Sequence, residues 1–175
     1  CPAQMDKIME IAEEESLFVI EDCAHSLGAS YNGKLCGTFG DAAFFSLGRD
    51  KVISSVFGGA AVTSNDTLAM RIKQFRKELN YPSNFWIFQQ LLHPILIKYL
   101  IIPFYRFPSF GRILLGGLQK IKVLSKAVYK KEKEEGSLPK YFPKKIPNVF
   151  SNLALNQFNR VHRFNSHRKE IANFY

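Results

Sequence analysis

The stretch that decides the fold is LFVIEDCAHSLGASYNGKLCGTFGDAAFFSL, residues 17–47. Its first six residues form an apolar run that ends in two carboxylates, a pattern typical of a buried parallel strand that emerges at the carboxyl edge of a sheet. A Gly-rich segment follows, with Asn32–Gly33 as its clearest turn signal, and DAAFFSL then predicts a second strand. Ligands in open α/β sheets bind at the carboxyl edge, so we expect these carboxylates to lie near a site.

The segments on either side extend this pattern into an α/β layered domain. Residues 3–15 place apolar side chains on one helical face and acids on the other. GGAAVTS, residues 58–64, predicts a further strand, and residues 48–57 form a loop before it. Residues 66–78 predict a helix with Asn65 or Asp66 as its N-cap.

Length and composition exclude several classes of protein. The chain has 175 residues, of which 46% are hydrophobic, so it is long enough to bury a core and too apolar to be disordered. Its three cysteines form no CxxC pair, which indicates a reducing, cytoplasmic compartment. The first residue is Cys and the last ones read as helix, so we interpret the chain as an internal fragment of a longer protein. The net charge of +9 lies beside an apolar stretch without a nucleic-acid-binding motif, which argues against nucleic acid as a partner.

Residues 80–142 differ in composition from the rest and predict an apolar, basic helical insert. Pro94 and Pro103 are expected to interrupt its helix. Three interpretations stay open: packing on the enzyme or its dimer mate, docking on a membrane surface, and true spanning. In the docking interpretation aromatic and aliphatic side chains enter the interface, while lysines meet anionic head groups. These residues are Trp86, Phe88, Leu91, Leu92, Ile95, Tyr99 and Tyr105, with Lys120, Lys122, Lys126, Lys130 and Lys131.

Residues 143–175 complete the chain as a linker and a helix that leads towards a missing C-terminal domain. Prolines at 139, 143 and 147 mark the linker. His162 and His167 are five residues apart and do not share a helix face, so we predict no metal site.

Four residues within thirty positions carry the candidate chemistry: Asp22, His25, Ser46 and Lys51. A carboxylate at the end of a buried strand needs a cationic partner from the protein or a ligand. A lysine in a loop at a sheet edge can act as an amine nucleophile, and a serine at a strand end can donate to a phosphate. Taken singly, each residue is explained equally well by a structural ion pair, surface charge or a turn.

The same residues resemble the DegT/DnrJ/EryC1/StrS sugar aminotransferases. The pattern is IED-x-A-[QH], a Gly-rich stretch, F-S-[FL]-x-x-x-K, then G-G and a strand ending in Thr, and each element stands in residues 19–66. The resemblance covers residues 1–79 and resumes in residues 151–175. It implies an α/β fold: a fragment of the large domain of a fold-type-I transferase, the aspartate aminotransferase-like three-layer α/β/α architecture, with residues 80–142 as an added insert.

The resemblance also implies the chemistry of the site. The enzyme class is a transferase dependent on pyridoxal 5′-phosphate (PLP), which moves an amino group to a nucleotide-linked keto-sugar in glycan biosynthesis. Lys51 would bind PLP covalently and move protons, and Asp22 would pair with its ring nitrogen. His25 would lie near its phenolic oxygen, and Ser46 would contact its phosphate. The implied partners are a nucleotide-linked keto-sugar, glutamate as amino donor, and a second subunit in a homodimer.

Departures from the family pattern leave two other functions open. Phe57 stands where the family often has Glu, and PKKIPNVF, residues 143–150, lacks the family's Asn-x-Arg element. The segment that contacts the phosphate would precede Cys1, so the fragment alone is expected to be a poor enzyme. The alternatives are a PLP-dependent sugar dehydratase, in which the family replaces the lysine by histidine, and a catalytically silent module that binds a membrane or partner through residues 80–142.

Overall fold

A computed structural model describes residues 2–107, 110–125 and 142–175. Lys126, Lys130 and Lys131 lie outside the described residues, as does Pro139 of the predicted linker. The chain divides into two compact units. The first combines Cys1–Glu78 with Asn148–Tyr175, and the second is Leu79–Pro147.

The first unit begins with a helix and a small mixed sheet. The helix α1 is Met5–Glu14, and the sheet contains β1 (Ile20–Asp22), β4 (Ala42–Ser46) and β5 (Gly59–Val62) in the order β1-β4-β5. The pairing is parallel for β1 and β4 and antiparallel for β4 and β5. Because β1 and β4 are parallel, their carboxyl ends meet at one edge, as the sequence predicts.

The Gly-rich segment between these strands folds as a hairpin. Its strands are β2 (Ser30–Tyr31) and β3 (Lys34–Leu35), which pair antiparallel across Asn32–Gly33. Asn32 has φ 48° and Gly33 has φ 80°. Positive φ at both central residues is the requirement of a type I′ turn, which explains why an Asn-Gly pair stands here.

Three helices complete the first unit, and two of them return to the loop that follows β4. They are α2 (Asp66–Glu78), α6 (Asn148–Phe158) and α7 (Val161–Phe174). The backbone N–H of Leu68 donates to Asn65 Oδ1 at 3.0 Å, so Asn65 caps α2. The core is built by Leu47, Ile53 and Val161, with Ala154 and Phe164 packed against it. Residues 148–175 are therefore part of the unit that carries the predicted site.

The second unit is helical. It contains α3 (Asn84–Leu96), a π-helical segment (Ile97–Ile101), α4 (Ile102–Phe104) and α5 (Phe110–Lys120). Ser83 caps α3, since its side chain accepts from the backbone N–H of Trp86 at 3.3 Å. Pro94 lies inside α3 and does not end it. Proline removes one N–H from the ladder, and the regular pattern gives way to wider π-helical turns just beyond it.

The prediction that the first strand is buried is wrong for this chain. Ile20 keeps 65% of its surface exposed and Asp22 is exposed, whereas Glu21 between them is buried at 8%. The reason is topological, because β1 lies at the edge of the three-stranded sheet and pairs only with β4. An apolar run indicates that a strand is suited to a buried position. How much of its surface is buried depends on the elements that pack beside it.

Candidate active site

The carboxyl ends of β1 and β4 hold the predicted residues at one edge. Asp22 is the last residue of β1 and lies opposite Phe44 in the register, so Ser46, the last residue of β4, is two positions further along. The backbone N–H of Cys23 donates to Phe44 O at 2.9 Å and carries the pairing one residue past the strand. His25 follows in the turn after β1, and Lys51 follows in the loop after β4.

Lys51 and His25 are in direct contact. Lys51 Nζ lies 2.7 Å from His25 Nε2 and 3.2 Å from Asp50 Oδ2. The Lys51 side chain is 13% exposed, so its amine is mostly enclosed by protein but still reachable from solvent. When Lys51 is an ammonium, it donates to His25 Nε2, which requires the histidine proton to be on Nδ1. The two nitrogens are therefore close enough for a proton to pass directly between them.

Asp50 is the third member of this cluster, and sequence reasoning did not assign it a role. The pKa of Asp50 is lowered, chiefly by a hydrogen bond from its own backbone N–H and further by the side chain of Lys51. Its carboxylate thus stays charged beside the amine of Lys51. The adjacency of Asp50 and Lys51 in the sequence was the available signal.

Ser46 lies close to the Lys51 loop. Its Oγ accepts from the backbone N–H of Gly48 at 3.4 Å. A methyl group added at Gly48 would lie 3.5 Å from Ser46 Oγ and 3.8 Å from Lys51 Cγ, which shows how near the two side chains approach this glycine. The Ser46 hydroxyl, a carboxylate oxygen of Asp50 and the aliphatic part of Lys51 therefore lie beside Gly48.

Asp22 is oriented by its own turn. Its Oδ1 accepts from the backbone N–H of Ala24 at 3.0 Å, which fixes the carboxylate at the strand end. The prediction that Asp22 carries a buried charge is wrong, because this side chain is exposed. The structure thus brings His25 and Lys51 into contact, with Ser46 beside the same loop, and places Asp22 at the same edge without a direct bond to them.

The buried carboxylate is Glu21, which sequence reasoning missed. Glu21 Oε1 accepts from the backbone N–H groups of Phe39 at 2.7 Å and Gly40 at 2.9 Å, and Oε2 accepts from that of Gly37 at 2.7 Å. One side chain therefore anchors the Gly-rich segment to β1. Strand alternation was the available signal, because adjacent residues of a strand point to opposite faces and only one of two carboxylates can face outward.

Gln157 of α6 positions the Lys51 loop and was also missed. Its Oε1 accepts from the backbone N–H of Ser54 at 3.0 Å, and its Nε2 donates to Ser54 O at 2.6 Å. Two residues later Val56 has φ 72°, an unusual value for a β-branched side chain. The side chain of Gln157 thus pairs with backbone at a strained part of the loop. No sequence pattern marks a single glutamine in an apolar helix for this task.

The first unit also contains an apolar pocket of about 660 Å³, and none of the four predicted residues lines it. Its walls come from the Gly-rich segment, the sheet and helices α6 and α7, with Phe45, Leu47, Ile53, Phe158 and Val161 among them. His162 lines this pocket. Among the described residues no group of three His, Cys, Asp or Glu side chains could hold a metal ion. Burial raises the pKa of the thiols of Cys23 and Cys36, which keeps both protonated.

The sequence model of a known family matches residues 1–81. The model is that of the DegT/DnrJ/EryC1/StrS aminotransferase family, and the match covers 81 of the 175 residues. The resemblance noted in the sequence is thereby confirmed for that segment. The match ends at residue 81, so the resemblance expected for residues 151–175 stays a prediction.

Two of the curated relatives that match this segment carry enzyme names. GDP-perosamine synthase of Escherichia coli O157:H7 is 45% identical over 75 residues, which cover 43% of this chain and 21% of that protein. L-glutamine:2-deoxy-scyllo-inosose aminotransferase of Streptomyces kanamyceticus is 38% identical over 76 residues, covering 43% of this chain and 18% of that enzyme. The matched part thus spans about a fifth of these relatives.

A solved structure supports the fold over the whole chain. The Escherichia coli GDP-4-keto-6-deoxy-D-mannose-3-dehydratase with bound hydrated PLP superimposes with a TM-score of 0.59 and 20% identity, covering 99% of this chain and 36% of that chain. At this identity the likeness concerns the fold alone. The predicted fold, a fragment of a fold-type-I α/β domain, is confirmed.

Proposed function

We propose that the complete gene product is a PLP-dependent aminotransferase that transfers an amino group to a nucleotide-linked keto-sugar for amino-sugar or cell-surface glycan biosynthesis. The observation that carries this proposal is the contact of Lys51 Nζ with His25 Nε2 at 2.7 Å, at the carboxyl edge of a family segment. We assign residues 1–79 to the PLP-binding large domain and residues 80–142 to an insert. Residues 143–175 then lead towards a C-terminal domain.

The residues at the sheet edge fit PLP by their chemistry. Lys51 supplies a primary amine for covalent attachment to an aldehyde, Asp22 an exposed carboxylate for a protonated ring nitrogen, and Ser46 a hydroxyl beside the Gly48 N–H for a phosphate. When bound, PLP supplies an electron-withdrawing ring that stabilises the charge left when a proton leaves the amino-bearing carbon. We place His25 near the phenolic oxygen of the cofactor.

The residues of this chain handle the proton in the proposed reaction. Lys51 has to lose a proton before its nitrogen can act as a nucleophile or base, and His25 Nε2 is within hydrogen-bond distance to receive it. Asp50 then stabilises whichever member of the pair carries the positive charge. Gln157 keeps the loop in place through its two bonds to Ser54. This arrangement lets Lys51 take and return a proton at one fixed position.

A PLP-dependent sugar dehydratase is the second candidate, favoured by the fold likeness to such an enzyme. The residue at position 51 distinguishes the two, because dehydratases of this family are expected to carry histidine there and this chain carries lysine. A catalytically silent module is the third candidate. It predicts no cofactor attachment at all.

We further propose the partners and the compartment. Glutamate is the expected amino donor, and a homodimer is the expected assembly. The cytoplasm is the expected location, since the described cysteines Cys23 and Cys36 are free thiols, as a reducing compartment keeps them. No role for nucleic acid is proposed.

Covalent labelling tests the proposed function. The complete gene product is incubated with PLP, reduced with borohydride and mapped by peptide mass spectrometry. We expect the pyridoxyl group on Lys51, its loss in Lys51→Arg, and its retention in Lys34→Arg, which changes an exposed lysine of the same segment. Label on another lysine, or none on the folded protein, would overturn the assignment. Amino transfer from glutamate to a nucleotide-linked keto-sugar then separates the aminotransferase from the dehydratase.

A further inference from the structure

The second unit exposes far more large apolar side chains than a surface in water normally does. Ten side chains of α3 to α5 and the segments between and just after them are about half exposed or more, from 49% at Phe110 to 72% at Phe85. We call them the apolar surface: Phe85, Phe88, Ile95, Tyr99, Ile102, Tyr105, Phe107, Phe110, Ile113 and Ile121. Exposed apolar patches of this kind indicate a docking surface.

The charge of this unit is of one sign. Residues 79–147 contain twelve Lys+Arg and three Asp+Glu, which leaves twelve of each for the rest of the chain, so this unit accounts for the whole net charge of +9. The described residues of the unit include no Asp or Glu. Their basic residues are Lys98, Arg106, Arg112, Lys120, Lys122, Lys144 and Lys145. A partner that fits has to be both apolar and negatively charged, which is the chemistry of an anionic lipid surface.

The helices form a hairpin whose two ends lie together. The hydroxyl of Ser125, which follows α5, donates to Gln90 Oε1 of α3 at 3.0 Å, and this bond is buried. Gln89 Nε2 also donates to Lys122 O. The backbone N–H of Lys145 also donates to Asn80 O at 3.0 Å, so the chain enters and leaves this unit at neighbouring positions.

The lengths of the two arms argue against spanning. Asn84–Phe104 is a continuous helical stretch of 21 residues, long enough to span a membrane, and an 18-residue window of it has a mean hydropathy of 1.4 with 11% of the window buried. The returning helix α5 has 11 residues and measures about 16 Å, roughly half of a hydrocarbon core. The longer arm also carries Lys98, whose Nζ lies 5.0 Å from the ring centroid of Tyr99. Lysine over tyrosine is an arrangement suited to the head-group region.

A second copy of the chain fits this surface less well than a lipid does. A twofold dimer contact places the same patch of both subunits face to face. Because the described patch has basic residues without acidic ones, such a contact would bring like charges together. An anionic bilayer covers the apolar side chains and attracts the basic ones at the same time.

We propose that the described helices of the second unit, Asn84–Phe104 and Phe110–Lys120, form a membrane-attachment hairpin that lies in the interface of an anionic bilayer and does not cross it. The descriptions of the relatives do not mention a membrane, so the inference rests on the residues of this chain. It goes beyond the proposed function and does not depend on it, because vesicle binding requires neither PLP nor substrate.

Vesicle binding tests this inference on the complete chain. Flotation with phosphatidylcholine vesicles is compared with flotation with phosphatidylcholine–phosphatidylglycerol vesicles at 0.05 and 0.5 M salt. We expect binding to the anionic vesicles, weaker binding at high salt, and release of bound protein at alkaline pH in carbonate. The chain has one tryptophan, Trp86 on α3, so its emission should shift to the blue and be quenched by brominated lipid.

Matched variants distinguish binding through the apolar surface from non-specific hydrophobic binding by other parts of the chain. Phe88→Ser is expected to lower partition about tenfold, whereas Phe75→Ser, which changes a similarly exposed phenylalanine of α2, should leave it unchanged. Arg112→Gln should lower partition about fivefold, and Lys73→Gln on α2 should not. Circular dichroism checks that each variant folds.

Four results would overturn the inference. They are equal affinity for neutral and anionic vesicles, resistance to carbonate extraction as for a spanning helix, equal effects of the Phe88 and Phe75 variants, and formation of a dimer through this surface without vesicle binding.

Discussion

Removal of the Glu21 carboxylate should destabilise the first unit more than any other single change near the site. In Glu21→Ala three backbone N–H groups, those of Gly37, Phe39 and Gly40, lose their acceptor. A hydrogen bond to a charged group contributes about 1.5–3 kcal/mol, so the loss of three should lower the free energy of unfolding by at least about 4.5 kcal/mol. The free energy of unfolding of a small domain is about 5–15 kcal/mol in total. The variant should therefore unfold at a much lower denaturant concentration.

Glu21→Gln refines the same prediction. Its amide oxygen can still accept from Phe39 and Gly40, while its NH₂ group faces the N–H of Gly37. The loss of this one hydrogen bond should lower the free energy of unfolding by about 2 kcal/mol. The two variants should therefore rank as alanine worse than glutamine, with both worse than the native chain.

Urea denaturation followed by circular dichroism measures these differences. Glu10→Gln is the matched control, because Glu10 is an exposed glutamate on α1 and its change should stay within about 0.5 kcal/mol. The reasoning is refuted when the free energy of unfolding of Glu21→Ala is within about 1 kcal/mol of that of the native chain. It is also refuted when Glu21→Gln is less stable than Glu21→Ala.

Three further predictions concern the site and the fold. Asp22→Asn in the complete gene product should leave the unfolding midpoint unchanged. It should lower the rate of amino transfer by several orders of magnitude, because the ring nitrogen of PLP loses its counter-charge. Near-normal half-reaction rates in stopped-flow measurements would contradict this role. Gln157→Leu removes both hydrogen bonds to Ser54 and should raise hydrogen–deuterium exchange in residues 48–58, while exchange in α1 should not change. Unchanged exchange in residues 48–58 would show that the apolar core alone holds this loop. The pKa of Asp6 is lowered by the hydroxyl of Tyr31, so this bond stabilises the fold above the ordinary pKa of an aspartate, about 3.9, and is lost as the pH falls through the lowered value. Tyr31→Phe should raise the pKa of Asp6 in an NMR titration, and an unshifted titration would refute the assignment.

Local sequence determined the elements at the start of the first unit and the family resemblance of residues 1–81. Apolar runs of strand length, the Asn32–Gly33 turn and the Asn65 cap encode their conformations through contacts within a few residues, so the strands β1, β4 and β5, the turn and the start of α2 follow from the chain alone. The order of motifs in residues 19–66 indicated the family, and it also singled out His25 and Lys51, which the structure places in contact.

Tertiary structure decided which carboxylate is buried and what holds the site in place. Glu21 and Asp22 are chemically alike and adjacent, and only the position of β1 in the sheet and the path of residues 37–40 turn the first inward and leave the second exposed. Gln157 meets Ser54 across 103 positions of the chain, a distance over which residue patterns carry no signal. The hairpin end formed by Gln90 and Ser125 likewise depends on two helices meeting. Interactions within a turn are encoded locally, whereas a partner far along the chain is known only after the chain has folded.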